Sequence, residues 1–508
     1  MSRKRWQFLF ALLCALLYLF AGVAFGDTLT VDGEDIEVWK VSDDFYQDAA
    51  TYAASTNFYI TGKKGLIYFR DFVNGGDEVA QYIADGFYNS TAVGLFQTNI
   101  FTDKTVHLLA DVDLENVEWK PIGSVGASPY NYKNPHFFGS FDGHGHTISN
   151  LNAVPNGDRD FDEVGLFGRT QGNGSFSNIT LHNVTATGIR VGALLGFTVS
   201  TKTNTFTNCH VTGTININGE GGATKGGGTG GLVGYGYNLI FDNCTIDGSG
   251  TIAGTTSAGK YSCPAGFFVG AGIYFSKFKS NCAVSGVTAS YRGVETETFN
   301  GWAEAQIKDE EYTTMYGDIE RAVNAASTDQ TVEIIVPYDS YSLPTVPTRV
   351  TIEGKVDGVT FSHTGGGDIA SVANGVTFRN VSFDFGNNDY HGFWNSDNLT
   401  FENCNLIGKL FSYHSLKFND CKFINNSGDY NMWCYGGNNA TSLVEYHNCD
   451  FTSSKGKFLN IYSESAGPTY HHNVIVDGCS FTNTNEAASK AALNITETVG
   501  TAPLAYDV

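Results

Sequence analysis

The chain has 508 residues and a formal charge of −22, an acidic field that repels nucleic acid and anionic polysaccharide and makes both poor candidates as partners. It carries 60 glycines, 26 tyrosines and 37 phenylalanines but only 10 prolines and 3 methionines. That is the make-up of an ordered chain rich in strands and turns, and it sets an all-β expectation.

Arg3, Lys4 and Arg5 precede an uncharged apolar run, Phe8 to Phe25, that closes on the small-residue signal Ala24-Phe25-Gly26. This pattern predicts a signal peptide over residues 1–26 and a secreted or cell-surface chain. The run is long enough to cross a membrane, so membrane contact is expected only through an uncleaved signal anchor. Ala11-Leu12-Leu13 before Cys14 lacks the small residue a lipoprotein anchor needs.

Helical spacing is credible at two places. Lys64 to Val73 is one; the other is Asp318 to Ala326, where Ile319, Ala322, Val323 and Ala326 share a face behind an Asp cap. Each precedes a block of repeats, where a solenoid needs a cap over its first rung.

The segment His136 to Leu151 contains Gly143-His144-Gly145, a tripeptide that invites comparison with polygalacturonases, which are also β-helices. A hydrolase of that type needs carboxylates converging from neighbouring rungs. The outward repeat positions carry Ser177, Thr207, Asp242, Glu402, Asn419 and His447, among which no acidic stack is expected. A lyase would need clustered basic residues, and the arginines after the leader, such as Arg70, Arg190 and Arg379, are scattered. No catalytic residue is assigned. Asn156, Asp158, Asp160 and Asp162 alternate like calcium ligands, but Phe161 stands where a calcium loop needs glycine. A solvated acidic loop is expected there, and no metal or cofactor is assigned.

One short pattern then recurs: FSNITL at Phe176, FTNCHV at Phe206, FDNCTI at Phe241, FRNVSF at Phe378, FENCNL at Phe401, FNDCKF at Phe418, YHNCDF at Tyr446 and VDGCSF at Val476. Each copy reads as a turn feeding a strand. In the first half GLFG at Gly165, ALLG at Ala193, GLVG at Gly231 and FFVG at Phe267 precede the copies. Copies roughly 17 to 38 residues apart are what a coiled solenoid permits, since insertions enter loops on one face. With no tight hairpins evident, the expected fold is all-β: a right-handed parallel β-helix in two tandem blocks, each with a short N-terminal capping helix. The blocks are residues 27–292 and 312–508, and 293–311 forms a linker or a short packed connector.

Stacked rungs lie about 4.8 Å apart, so the position after the turn forms a ladder. Ile179 and Val381 share it with the cysteines, which places Cys404 and Cys421 inside as small hydrophobes. Parallel side chains about 4.8 Å apart exceed the usual disulfide Cβ separation of roughly 3.5 to 4.5 Å, so free thiols are favoured over bridges between rungs. A cysteine metal site is weaker still, because no CxxC occurs. Asn-Xaa-Ser/Thr sequons at Asn178, Asn243, Asn380 and Asn398 fall in turns or strands of the repeats, which generate them without reference to glycosylation.

The succession TVHLLADVDLENVEWKPIG from Thr105, FFGSFDGHGHTISNL and VGLFG resembles the opening of bacterial surface β-helices of the GLUG-repeat kind. Such domains are found in large adhesin-like proteins and in non-catalytic parts of some surface peptidases. The resemblance covers about Thr56 to Val284 and implies a non-enzymatic, adhesin-like protein binding glycans or host or neighbour surface proteins. It also places Gly-His-Gly inside a structural motif. The rival classes are a polysaccharide-active enzyme and an inert stalk. No wall-sorting signal and no HExxH are present. At the end of the chain, Lys490 to Val508 starts as an apolar strand with no capping helix, so end-to-end association through this last rung, or a naturally longer polypeptide, is expected.

Overall fold

In the computed structural model the described residues are 56–74, 101–124 and 136–155, then 162–497 with short gaps, together with isolated strands before residue 98 and at 505–507. The expected leader, Asn156, Asp158, Asp160 and much of the C-terminal segment lie outside them. The protein is all-β, with long parallel strand stacks. Two compact units divide the chain, one holding residues up to Ala303 with Glu310–Thr314, the other Glu304–Asp309 with Met315 onward.

The recurring Phe-Xaa-Asn-Cys pattern explains the stacks. Asn178, Asn208, Asn243, Asn380 and Asn403 all hold a left-handed backbone, with φ between 50° and 55°. Asparagine tolerates that region where β-branched residues do not, so the chain turns at these residues, ending one strand and starting another at Asn243, Asn380 and Asn403, while a single long strand runs on through Asn178 and Asn208. The phenylalanine before the corner points inward. Phe176, Phe206, Phe241 and Phe278 stack face to face with centroids 5.4, 4.9 and 4.9 Å apart. Burying each ring contributes on the order of 2–3 kcal/mol.

In the first unit Asn57–Ile60, Thr105–Leu108, Ser140–Asp142, Ser175–Gly188 and Thr203–Glu220 pair successively in parallel, and Val233–Asp242 and Val269–Lys279 extend the stack. The GLFG-type motifs build the corner between this stack and a second of short strands, Glu163–Val164, Arg190–Gly192, Gly228–Gly230 and Ala265–Gly266. A Cβ on Gly165 would lie 2.5 Å from the carbonyl oxygen of Gly192, so the corner admits only glycine there.

Helix α1, Lys63–Asn74, buries Leu66, Phe69, Phe72 and Val73. Phe69 meets Phe101, Phe137, Phe141 and Phe167 at centroid distances of 5.3 to 6.3 Å.

In the second unit the chain visits three parallel stacks in the same order on each pass. Thr377–Arg379, Ser382–Asp384 and His391–Gly392 lie beneath Leu399–Glu402, Asn405–Ile407 and Leu410–Ser412 respectively. Helix α2, Ile319–Ala325, is capped by Asp318, whose carboxylate accepts from the Arg321 amide at 2.8 Å.

Two hairpins depart from the sequence reading. Thr28–Val31 with Glu34–Glu37, and Tyr88–Thr91 with Gly94–Gln97, form antiparallel hairpins. The first flanks Asp32-Gly33, a strong hairpin signal that the repeat pattern overshadowed. The connector proves to be packed: Val294–Thr296 folds back antiparallel on Ala289–Tyr291 in the first unit, and Ala305–Lys308 pairs antiparallel with Thr331–Ile334 in the second.

Cys404, Cys421 and Cys449 are buried at the inward position that Val381 also holds. All nine described cysteines are free thiols. Burial pushes the Cys434 and Cys263 thiols up to about 11.

Candidate functional site

The outward ladder of the first unit runs Tyr59, His107, Asp142, Ser177, Thr207, Asp242 on successive parallel strands. At one end of it three side chains converge. His107 Nδ1 lies 2.8 Å from His144 Nε2, and His144 Nε2 lies 3.7 Å from Asp142 Oδ2. His144 sits in the turn after Asp142 at φ 50°, between two glycines with different duties. A Cβ on Gly143 would stand 2.3 Å from the Asn178 carbonyl oxygen, and Gly145 holds φ 81°. The glycines of Gly-His-Gly are therefore structural, while the histidine has chemical partners.

Around the cluster, His107 Nε2 donates to Asn57 Oδ1 at 3.0 Å and its ring stacks on Tyr59 at 4.8 Å. Asp142 accepts from Asn178 Nδ2 and from the His144 amide, each at 2.9 Å. Burial, and then the neighbouring His144, lower the His107 pKa. For Asp142, burial pushes the pKa up but is outweighed by these two hydrogen bonds and the histidines, and the net shift is downward. Sequence reasoning missed His107, because TVHLL carries neither the Asn nor the Cys of the repeat. Its signal is the register, in which Val106 and Phe141 are equivalent.

The second unit presents an aromatic strip. Trp394 is 37% exposed and meets Tyr413 edge-on at 5.6 Å. Phe411 stacks on Trp433 at 5.4 Å, and Tyr430 stands edge-on to Trp433 at 5.7 Å with Lys457 over its face at 5.4 Å. Tyr413, Trp433 and Tyr430 are half-buried. The Trp394 backbone is fixed from both sides: its amide donates to Asp368 Oδ1 at 3.1 Å, and its carbonyl accepts from His414 Nε2 at 2.8 Å. Asp368 also takes Asn395 Nδ2 at 2.7 Å, and Asp397 takes the amides of Ser415 and Asn398, each at 2.9 Å. The carboxylates beside the strip thus build turns.

Outside the repeat positions, the second unit carries two stacked glutamates. Glu333, Glu353, Arg379 and Glu402 are successive register partners. Glu333 and Glu353 lie on strands that lack the cysteine repeat, which is why scanning the repeats alone passed over them. The stack is neutralised: Lys308 and Lys355 reach Glu333 at 3.0 and 3.3 Å, and Arg379 reaches Glu402 at 2.7 Å.

Of the alternating acidic run, only Asp162 is described, and its backbone carbonyl accepts from the Ile189 and Arg190 amides, each at 3.0 Å. Two sequon asparagines are committed internally, since Asn178 Nδ2 donates to Asp142 and Asn243 Nδ2 to Asn208 at 2.8 Å.

The fold and these surfaces define an all-β protein of stacked parallel strands with a polar outer ladder and an aromatic strip. No family model matches the chain. It is 30% identical to halomucin of Haloquadratum walsbyi over 192 residues, which cover 35% of this chain and 2% of that protein. The chain therefore spans a small fraction of that relative's length. A solved structure of a candidate immunoglobulin A1 protease from Bacteroides ovatus superimposes with a TM-score of 0.31 at 15% identity, covering 71% of this chain and 77% of that one. Among the described residues no helix is long and apolar enough to cross a membrane.

Proposed function

We propose that this is a secreted or cell-surface protein of two right-handed parallel β-helices, the first of the GLUG-repeat kind, that binds glycans without cleaving them. The leader over residues 1–26 directs export, and helices α1 and α2 cover the first rung of each helix. The aromatic strip of Trp394, Tyr413, Trp433 and Tyr430 carries the reading. Flat aromatic rings on a fixed backbone offer an apolar face to the C–H face of a sugar, and the nearby carboxylates are consumed by turns rather than paired for acid–base work.

The test is a glycan and matrix-protein array probed with the full chain and with Trp394→Ala. Binding to a glycan class that falls at least about ten-fold in the variant, a loss of about 1.4 kcal/mol, supports the proposal. Binding to matrix proteins alone, or to nothing, overturns it in favour of a protein adhesin or an inert stalk. Reducing-end release that is abolished by an Asp or Glu substitution overturns it in favour of an enzyme.

A further inference from the structure

We propose that His107, Asp142 and His144 form a binding site for a divalent transition-metal ion of the zinc type. Each residue offers one ligand atom, and these atoms all lie within 4.8 Å of one another. The set does not depend on the aromatic strip, which belongs to the other unit.

Tautomers decide whether the cluster can bind. His107 Nε2 points at the Asn57 carboxamide oxygen, which can only accept, so the proton sits on Nε2 and the lone pair on Nδ1. This is the outer-shell arrangement in which a ligating histidine donates its second nitrogen to a fixed acceptor. The Nδ1 lone pair now receives the His144 Nε2 proton across 2.8 Å. To bind a metal ion, His144 takes its other neutral tautomer, with its one ring hydrogen moved through solvent from Nε2 to Nδ1, so that both facing nitrogens present lone pairs. Two nitrogens each about 2.0–2.1 Å from a tetrahedral ion stand roughly 3.3 Å apart. The exposed His144 ring need therefore withdraw by only about half an ångström, while His107 stays clamped between Tyr59 and Asn57.

Donor chemistry selects the ion. Two imidazole nitrogens and a carboxylate oxygen suit zinc and its neighbours, whereas calcium and magnesium take all-oxygen sets and copper(I) takes sulfur. The ionised Asp142 offsets part of the ion's charge. On the solvent side, where His144 is exposed, a fourth position is open to water.

Zinc is titrated into the full chain against a chromophoric competitor, and cobalt(II) is added in parallel to read its visible bands. One equivalent with weak tetrahedral or five-coordinate bands and no thiolate charge-transfer absorption is expected. His144→Gln and His107→Gln each weaken zinc binding by at least about ten-fold. His146→Gln, whose ring contacts Asp111 at 3.1 Å outside the cluster, leaves it unchanged. Thermal melting supplies a second readout, since zinc raises the wild-type midpoint and leaves that of a folded His144→Gln chain where it was. Absence of stoichiometric binding, thiolate bands, or equal loss in His146→Gln overturns the proposal and leaves His107 and His144 as a structural hydrogen-bonded pair.

Discussion

Asn208 donates from its carboxamide nitrogen to Oδ1 of Asn178 at 2.8 Å, and both residues hold a left-handed backbone. Asn243 donates to Asn208 in the same way at 2.8 Å. Replacing Asn208 therefore removes two ladder bonds and places a new side chain at φ 51°. Asn208→Ala should destabilise the first unit by about 2–3 kcal/mol in urea unfolding, and Asn208→Gly by less, because glycine keeps the backbone and loses only the bonds.

The same repeat shows what the sequence made legible. Phe-Xaa-Asn-Cys names the inward ring, the left-handed corner and the small buried residue, so parallel stacking could be read from it. The His107–His144 contact could not, because it depends on which strand lies beside which, and TVHLL carries no corner residue to announce its register. Glu333 and Glu353 were hidden for the same reason. The aromatic strip lies at scattered sequence positions, Trp394, Tyr413 and Trp433, which become neighbours only because successive passes stack.

Cysteines offer a second measurement. The described thiols are free, and all but Cys479 are buried. The native chain should resist a thiol reagent at pH 8, and after denaturation without reductant at least five thiols should react. One or none would mean that the ladder cysteines are paired.

Glu163 is buried with Arg169 and Arg190, which reach its carboxylate at 2.8 and 3.1 Å. Arg190 also lies over Phe197 at 4.2 Å. Glu163→Ala leaves two guanidinium groups without their anion and should cost about 3–5 kcal/mol in the first unit, read as a lowered urea midpoint. A change below about 1 kcal/mol would show that water reaches this cluster.

His136 gives a pH dependence. Burial first, then the charge of Arg169, lower its pKa from 6.5 to about 3. The folded state therefore binds its proton less readily than the unfolded chain. Its contribution is fully present above pH 6.5, and it is lost as the pH falls from there towards about 3. Unfolding free energies measured between pH 7 and 4 should fall in the wild type by up to on the order of 3–4 kcal/mol from this group, and less steeply in His136→Phe.

The asparagine ladder has a consequence for how the protein forms. Partners along it are 30 and 35 residues apart in the first unit and 23 in the second, in a chain of 508. Contact order is consequently low for so large a strand-rich molecule, and winding can proceed from a local seed one turn at a time. Length then adds surface without lengthening the conformational search. Excising residues 404–420 would bring Cys421 to the place of Cys404 and leave the neighbouring turns able to close over the gap, so the protein is modular at the scale of a single pass of its backbone.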